Sequence, residues 1–461
     1  MRTVVGDIVK KEGMEIELFG WVNARRDHGK LVFIDLRDRS GFVQVVFGPR
    51  VANVSELRLE YVVRIKGEVK KRPPNMVNDK IPTGAYEIDA NELEIIGVAE
   101  SLPLPVDGNG YDIDEEVRMK YRYLDLRRER MKNNLLLRDK VTRLVREYFS
   151  ENGFIEVETP LLTKSSPEGA RDFLVPSRLQ RGKFYALPQA PQQYKQLLMV
   201  GGIERYFQLA KALRDEDLRG DRQFEHTQID MEMSFATEQD VRDMVEGLMI
   251  RVAEACGKKI LKKPFPVVTH EEAIKKYGAD KFDLRSVDEK KNPDILAFAW
   301  VVDFPLFELD EETKKYTFAH NPFSAPKPEC VEKVMKGEDL GDLRAQQFDL
   351  VCNGYEIASG GVRISDPALQ ERIFEIMGLS PDQAEKNFGH LMRAYRYGAP
   401  PHAGMAPGLD RLVMLLANEP NIREVIAFPV SANGQTSVMD APSEVEKKQL
   451  DELGIEIKRK P

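Results

Sequence analysis

Over the first hundred residues apolar positions tend to recur at every second place, and turn residues interrupt them. Ile16, Leu18 and Gly20 alternate with other residues within Glu15–Val22, while Leu31–Leu36, Phe42–Phe47, Tyr61–Val69 and Tyr86–Ile96 are rich in β-branched and aromatic residues. Asp27-His28-Gly29, Arg39-Ser40-Gly41 and Pro73-Pro74-Asn75 separate them, so the pattern predicts five short strands. Five strands in so short a stretch suit a five-stranded Greek-key barrel, the OB-fold, or another small β-barrel. Further on the period changes. Leu137, Val141, Leu144, Val145 and Tyr148 predict a helix buried along one face, stopped at Asn152-Gly153 and followed by a strand over Phe154–Glu158. Between the two patterns lie Pro103, Pro105, Gly108 and Gly110, which read as a linker. The rest mixes strands and helices without regular βαβ alternation. The expected class is α+β, with a barrel at 1–104, a linker at 105–130 and a larger domain at 131–461.

Composition narrows the class without naming a partner. The 461 residues are 42% hydrophobic and 31% charged, which suits packed domains rather than disorder. Cys256, Cys330 and Cys352 are sparse and lack metal-ligand spacing, as reduced thiols in a cytoplasmic protein would be. Asp7, Lys10, Lys11 and Glu12 break any leader-like apolar run, and Leu296–Phe307 is too short to span a bilayer, so no membrane association is expected. The net charge of −8 argues against indiscriminate nucleic-acid binding, yet a specific RNA partner needs only a local basic face. Neither G-x-x-x-x-G-K-[ST] nor G-x-G-x-x-G occurs, so any nucleotide must be held in another way.

Two segments carry chemistry. Arg214-Asp215-Glu216-Asp217-Leu218-Arg219-Gly220-Asp221-Arg222-Gln223-Phe224-Glu225-His226-Thr227-Gln228 is a charge-dense run between strand-like segments. Such runs are commonly solvated hairpin loops, but an arginine fixed by a strand can grip phosphate or carboxylate with both prongs. Gly404-Met405-Ala406-Pro407-Gly408-Leu409-Asp410-Arg411 leads into an apolar helix. The glycines allow close approach of a ligand, and Arg411 stands in the first turn, where the helix dipole favours anions. A cation kept there suits an anionic ligand shared with the dipole.

These segments, in this order, resemble motifs 2 and 3 of the class II aminoacyl-tRNA synthetases, with the helix–strand–Pro160 unit as motif 1, the dimer-forming motif. Three further runs make the likeness specific to bacterial-type aspartyl-tRNA synthetases: Ser166-Pro167-Glu168-Gly169-Ala170-Arg171-Asp172-Phe173, Pro188-Gln189-Ala190-Pro191-Gln192-Gln193-Tyr194-Lys195, and Asn353-Gly354-Tyr355-Glu356-Ile357-Ala358-Ser359-Gly360-Gly361-Val362-Arg363. The resemblance spans nearly the whole chain and implies an antiparallel catalytic sheet flanked by helices. It further implies a homodimer that activates L-aspartate with ATP and Mg²⁺ and loads it onto tRNA(Asp). By it, Arg214, Glu216 and Arg411 are the catalytic set, and Glu168, Gln192, Lys195, Arg214, Asp230, His320 and Arg363 contact aspartate. Arg214, Glu216, Gln223, His226, Glu356, Gly408 and Arg411 hold ATP, and Asp349 with Glu356 holds the metal. The barrel becomes the anticodon-binding domain, with Arg26, His28, Phe33, Gln44 and Asn75 as candidate base readers. Phe33 also has a bland reading as barrel core. The chemistry agrees: two substrate carboxylates call for Lys195 and Arg363, and the ammonium group for Glu168, Gln192 and Asp230.

The chain departs from that family's pattern in several places. The large bacterial insert is missing, replaced by a short polar link near 284–297. His226 stands where a phenylalanine stacks on adenine, and imidazole offers less apolar area, so ATP binding should be weaker than with phenylalanine. Pro407, Leu213 and Asn321 replace a usual Phe or Leu, a usual Phe and a common second histidine. His28 matches relatives that also load tRNA(Asn), which would require a downstream amidotransferase, whereas Asn75 matches neither type. The competing readings are an asparagine-specific synthetase and a catalytically idle synthetase-like RNA-binding protein.

Overall fold

The computed structural model describes residues 2–166, 169–311 and 314–458, and divides them into two compact units, Met1–Pro105 and Val106–Pro461. The first is a closed five-stranded barrel. In chain order its strands are β1 (Glu15–His28), β2 (Leu31–Asp38), β3 (Gly41–Phe47), β4 (Val62–Lys71) and β5 (Tyr86–Gly97), and they close in the order β1-β2-β3-β5-β4. Alternation explains which side chains fill it. Leu18, Val22, Ile34, Leu36, Val43, Val45, Val63 and Ile65 point inward and are buried, and their neighbours line the outside. Phe33 is one of those neighbours, half-buried on the outer surface, so its core reading falls. β1 runs six residues beyond the expected end at Val22. Past a register shift at Val22/Ala24, polar Arg25 to His28 pair with Ile34 to Leu31 as an exposed hairpin arm. The chain reverses at Gly29-Lys30, with Gly29 at φ 61°, so His28 belongs to a strand and not to the turn.

The second unit is built on an eight-stranded sheet. Its strands run, from one edge to the other, Val267–Thr269, Phe298–Val302, Gln347–Cys352, Tyr355–Val362, His402–Pro407, Glu225–Ser234, Arg205–Leu213 and Ile155–Glu156. The outermost pair at each edge is parallel and every other pair antiparallel. Alternation again assigns the faces. Ile229, Met231, Met233, Phe348, Leu350, Cys352, Ala403 and Met405 share one core with Val141, Val145 and Phe149 of helix Glu129–Glu151. Helices Glu238–Ala255 and Leu409–Ala417 add Val245, Leu248, Leu412 and Val413 to the same core. The intervening residues Gln228, Asp230, Glu232, Gln347 and Asp349 are polar, and they face the other way. The helix over 129–151 ends at Asn152, and Gly153 takes φ 75°, but the strand after it is only Ile155–Glu156.

The stretch expected as a linker is folded into the second unit. It carries two short helices, Glu115–Lys120 and Arg122–Asp125. Asp125 is fully buried and receives Arg122 Nη1 at 2.9 Å, Arg128 Nε at 2.7 Å and Arg118 Nη1 at 3.5 Å. Arg118 also binds Glu424 at 2.8 and 3.0 Å, and Arg130 binds Glu419 and Glu424. Burial would raise the Glu424 carboxyl, but these arginines hold it down at about 2. The prolines and glycines that suggested a linker lie before this cluster, and charged residues that look solvated in sequence are its buried partners. Where the insert would stand, the chain closes compactly: Arg285 binds Asp283 at 2.9 Å and the Ile295 carbonyl at 3.4 Å.

Asp125→Ala leaves three converging guanidinium groups short of their shared acceptor. It should destabilise the second unit by about 3–5 kcal/mol, read as a lower denaturant midpoint in equilibrium unfolding of the full chain.

Candidate active site

The polar face of the sheet forms the floor of a cavity of about 630 Å³. At one end lies a buried ion network. Lys195, on helix Gln192–Val200, sits 2.9 Å from Asp230 Oδ1 and 3.1 Å from Glu232 Oε2. Arg363 Nε donates to Glu232 Oε1 at 3.0 Å and its Nη2 to the Gly404 carbonyl at 3.1 Å. Gln228 Nε2 donates to Asp230 Oδ2 at 2.8 Å. None of the four charged residues is more than 5% exposed. Burial pushes the Asp230 carboxyl up despite Lys195, whereas at Glu232 the fields of Arg363 and Lys195 outweigh burial and hold it down. Gly404 makes room: a Cβ there would lie 1.9 Å from Glu232 Oε2 and 2.2 Å from the Met231 carbonyl oxygen. Two cations are thus fixed in a buried site by two carboxylates, an arrangement better suited to meeting an anionic group than to stabilising the fold.

At the other end the cations come from the hairpin and from the helix N-terminus. Arg214 directly follows strand Arg205–Leu213; its backbone N–H donates to the Phe224 carbonyl and its Nε to the Gln189 carbonyl at 3.2 Å. Across the loop Glu216 binds Arg222 at 3.0 Å. Arg411, in the first turn of helix Leu409–Ala417, binds Asp221 at 3.1 Å and donates to the Glu356 carbonyl at 2.9 Å. Its neighbour Asp410 is buried, accepting from the Thr227 N–H at 2.8 Å and from Arg138 at 2.5 Å, so the helix start is locked to the hairpin strand. Gln192 Nε2, Gln223 Nε2 and His320 Nδ1 are buried without a hydrogen-bond partner among the described residues, and all three residues line the cavity. Unpaired buried donors and acceptors of this kind are costly unless a ligand completes them.

Glu356 lines the cavity, whereas Asp349 is buried and is not among the lining residues. Burial and the Glu356 charge push the Asp349 carboxyl well up. Glu356 is held down against burial, chiefly by Lys281, whose Nζ lies 2.8 Å from Oε2. His320 Nε2 is 4.0 Å from Asp349 Oδ2. No group of three or more histidine, cysteine or carboxylate ligands gathers among the described residues.

The cavity therefore collects Gln192, Lys195, Asp230, His320 and Arg363 from the expected amino-acid set. Arg214, Glu216, Gln223, His226, Glu356, Gly408 and Arg411 line the same space. Glu168 lies outside the described residues. Asp230 does not stand free to meet an ammonium group; it is already the partner of Lys195 and Gln228. Sequence reasoning missed Glu232, although its i, i+2 spacing from Asp230 on a strand puts both carboxylates on one face. It also missed Lys281 and Asp410, for which no local signal existed. On the barrel, Arg26 pairs across from Phe33 and binds Asp35 at 2.7 Å; Gln44 donates to Glu87 at 2.8 Å. The His28 ring meets Phe33 edge-on at 5.8 Å, and Asn75 is exposed in the turn after β4.

An antiparallel sheet with an arginine at the end of a hairpin strand and another in the first turn of a glycine-led helix is the arrangement of a class II synthetase. The model of class II tRNA synthetases (D, K and N) matches residues 114–432, that of the OB-fold nucleic acid binding domain matches 16–96, and the chain belongs to this synthetase family. It is 41% identical to an aspartate–tRNA(Asp/Asn) ligase of Rubrobacter xylanophilus, over 96% of this chain and 95% of that one. It is 38% identical to an aspartate–tRNA ligase of Staphylococcus saprophyticus, over 96% and 97%. The first alignment runs over 571 positions against 461 residues here, so more than a hundred positions of that relative have no counterpart. Among solved structures, asparaginyl-tRNA synthetase from Pyrococcus horikoshii with asparaginyl-adenylate superposes with a TM-score of 0.74 at 22% identity, covering 93% of this chain and 98% of that one. At that identity the likeness concerns the fold. No described helix is long and apolar enough to cross a membrane.

His226 supplies a check on this geometry. Burial, with Arg214 and Arg411 nearby, pushes its imidazole down to about 3 from 6.5. The unfolded chain therefore takes up a proton below 6.5 that the folded chain takes up only near 3, and falling pH across that window favours unfolding. The His226 ring resonances, assigned by comparison with His226→Phe, should show no titration between about pH 5 and 8.

Proposed function

We propose that this chain is an aspartate–tRNA ligase that forms aspartyl-adenylate from L-aspartate and ATP and passes aspartate to tRNA(Asp). The observation that carries the reading is the buried Lys195–Asp230–Glu232–Arg363 network opening into the same cavity as Arg214 and Arg411. The relatives named aspartate–tRNA ligase support it from the side of sequence. Lys195 and Arg363 receive the side-chain carboxylate of aspartate. Asparagine would leave them short of one negative charge in a buried site. Gln192, with its unpartnered amide nitrogen, and Glu168 contribute to orienting the rest of the amino acid. Because Asp230 is engaged with Lys195, its part in ammonium binding is shared with, or exerted through, that pair.

In the first step an oxygen of the substrate α-carboxylate attacks the α-phosphorus of ATP, and pyrophosphate leaves. Arg214 neutralises charge on the α-phosphoryl oxygens, Arg411 holds the far end of the triphosphate, and His226 stacks on adenine as a neutral ring. Glu216, Gln223 and Gly408 line the nucleotide's place. In the second step a hydroxyl of the tRNA terminal adenosine attacks the adenylate carbonyl, and AMP leaves; His320 lies beside that path. Asp349 and Glu356 would hold Mg²⁺. Burial, together with the Glu356 charge, pushes the Asp349 carboxyl up, and an oxygen-only carboxylate pair of this kind suits a hard cation. When bound, the cation neutralises phosphate charge. Leu136, Ile155, Leu161 and Leu162, each more than half exposed around the motif 1 helix and edge strand, support a homodimer through that surface.

The anticodon reading stands on the outer barrel face, where Arg26, His28, Phe33 and Gln44 combine an aromatic ring with polar edges. Asn75 adds an exposed amide in the turn after β4. With His28 at the hairpin tip, both tRNA(Asp) and tRNA(Asn) are substrates. Charging of the two purified tRNAs tests this: aspartate should be loaded onto both. Loading of tRNA(Asp) alone contradicts the dual reading, and loading of neither contradicts the ligase.

A further inference from the structure

Lys281 is a cation in the cavity with no part in the steps above. It follows helix His270–Tyr277 by a short loop, and its Nζ reaches 2.8 Å from Glu356 Oε2. The backbone beside it is fixed. Phe282 is buried and stacks on Tyr277 at 4.2 Å, and its carbonyl accepts the Gly354 N–H at 3.1 Å. The lysine side chain itself is 46% exposed, a long flexible chain on a rigid anchor at the cavity rim. Glu356 meets a second cation, Arg411 Nη1, at 3.9 Å from Oε1. Asp349, by contrast, accepts from the Gln347 amide at 3.2 Å, and His320 Nε2 lies 4.0 Å from it.

The charges do not balance in the same way in the presence and absence of nucleotide. Without it, Glu356 already has Lys281 as counter-ion, and a divalent cation arriving alone would have to displace the ammonium group and remain beside it, Arg411 and Arg214. With it, the negative charges of a triphosphate lie between these groups, and Lys281 has a better partner within reach. We infer that Lys281 is the counter-cation of Glu356 in the nucleotide-free protein and moves onto the polyphosphate when ATP binds, so that the carboxylate pair accepts its divalent cation together with nucleotide rather than before it. The inference rests on the nucleotide-site reading above, and assigns Lys281 a positioning role that none of the motif matches carries.

The test uses Mn²⁺ as the probe, with free Mn²⁺ followed by electron paramagnetic resonance in solutions of the full chain. Wild type, Lys281→Met, Lys281→Arg and Glu356→Gln are compared, each with and without the α,β-methylene analogue of ATP. Without nucleotide, Lys281→Met should bind Mn²⁺ about tenfold more tightly than wild type, while Lys281→Arg stays near wild type and Glu356→Gln binds weakly. With the analogue, wild type should bind Mn²⁺ tightly, and Lys281→Met should hold the analogue about tenfold more weakly. Unchanged Mn²⁺ affinity in Lys281→Met without nucleotide, or equal tightening in Lys281→Arg, overturns the inference and leaves the nucleotide site standing. Failure of wild type to bind the analogue at all overturns both.

Discussion

The site is built around two buried cations, each fixed by carboxylates. Lys195 and Arg363 are held by Glu232, and Lys195 also by Asp230, all within hydrogen-bonding distance and all buried. Paired with these carboxylates, each cation is fixed in position and direction. Buried ion pairs of this kind rarely repay their desolvation in stability. Their use lies in presenting fixed charge to a ligand, and the rest of the unit is arranged so that they can.

The sheet makes this possible through its alternation. Along Glu225–Ser234 the odd-numbered Ile229, Met231 and Met233 seal the helical core, while the even-numbered Gln228 and Asp230 line the cavity and Glu232, on the same face, is buried under Lys195 and Arg363. Strand Gln347–Cys352 repeats the scheme with Phe348, Leu350 and Cys352 against Gln347 and Asp349. Gly404 on the adjacent strand leaves the space that Glu232 occupies. A one-residue slip in any of these strands would exchange core for site, so register and chemistry are the same constraint. The Asp410 carboxylate then ties the helix carrying Arg411 to the hairpin carrying Arg214, which brings the two arginines into one cavity.

Much of this was legible in the sequence, for reasons that can be named. Strand alternation gave the barrel, and helical spacing gave the helix over 129–151 with its stop at Asn152-Gly153. The glycines before Leu409 and the arginine after it marked a helix start that does line the cavity. Other features were hidden because they depend on contacts distant in sequence. Arg118, Arg122 and Arg128 fell within the expected linker, and only Glu424, some three hundred residues on, completes their cluster with Asp125. Lys281 gains meaning only from Glu356. Phe33 had two readings because period alone does not say which face of a strand is inside; the buried Ile34 and Leu36 decide it. Glu232 was within reach of the same period argument, since it shares a face with Asp230.

The central claim, that the buried cations read a second carboxylate on the amino acid, is tested most directly by amino-acid-dependent exchange of pyrophosphate into ATP. Wild type and Lys195→Met are compared with aspartate and with asparagine. Exchange with aspartate should exceed exchange with asparagine by about a hundredfold or more in wild type, and that ratio should collapse in Lys195→Met. Equal exchange with the two amino acids in wild type, or an unchanged ratio in the variant, would contradict the claim.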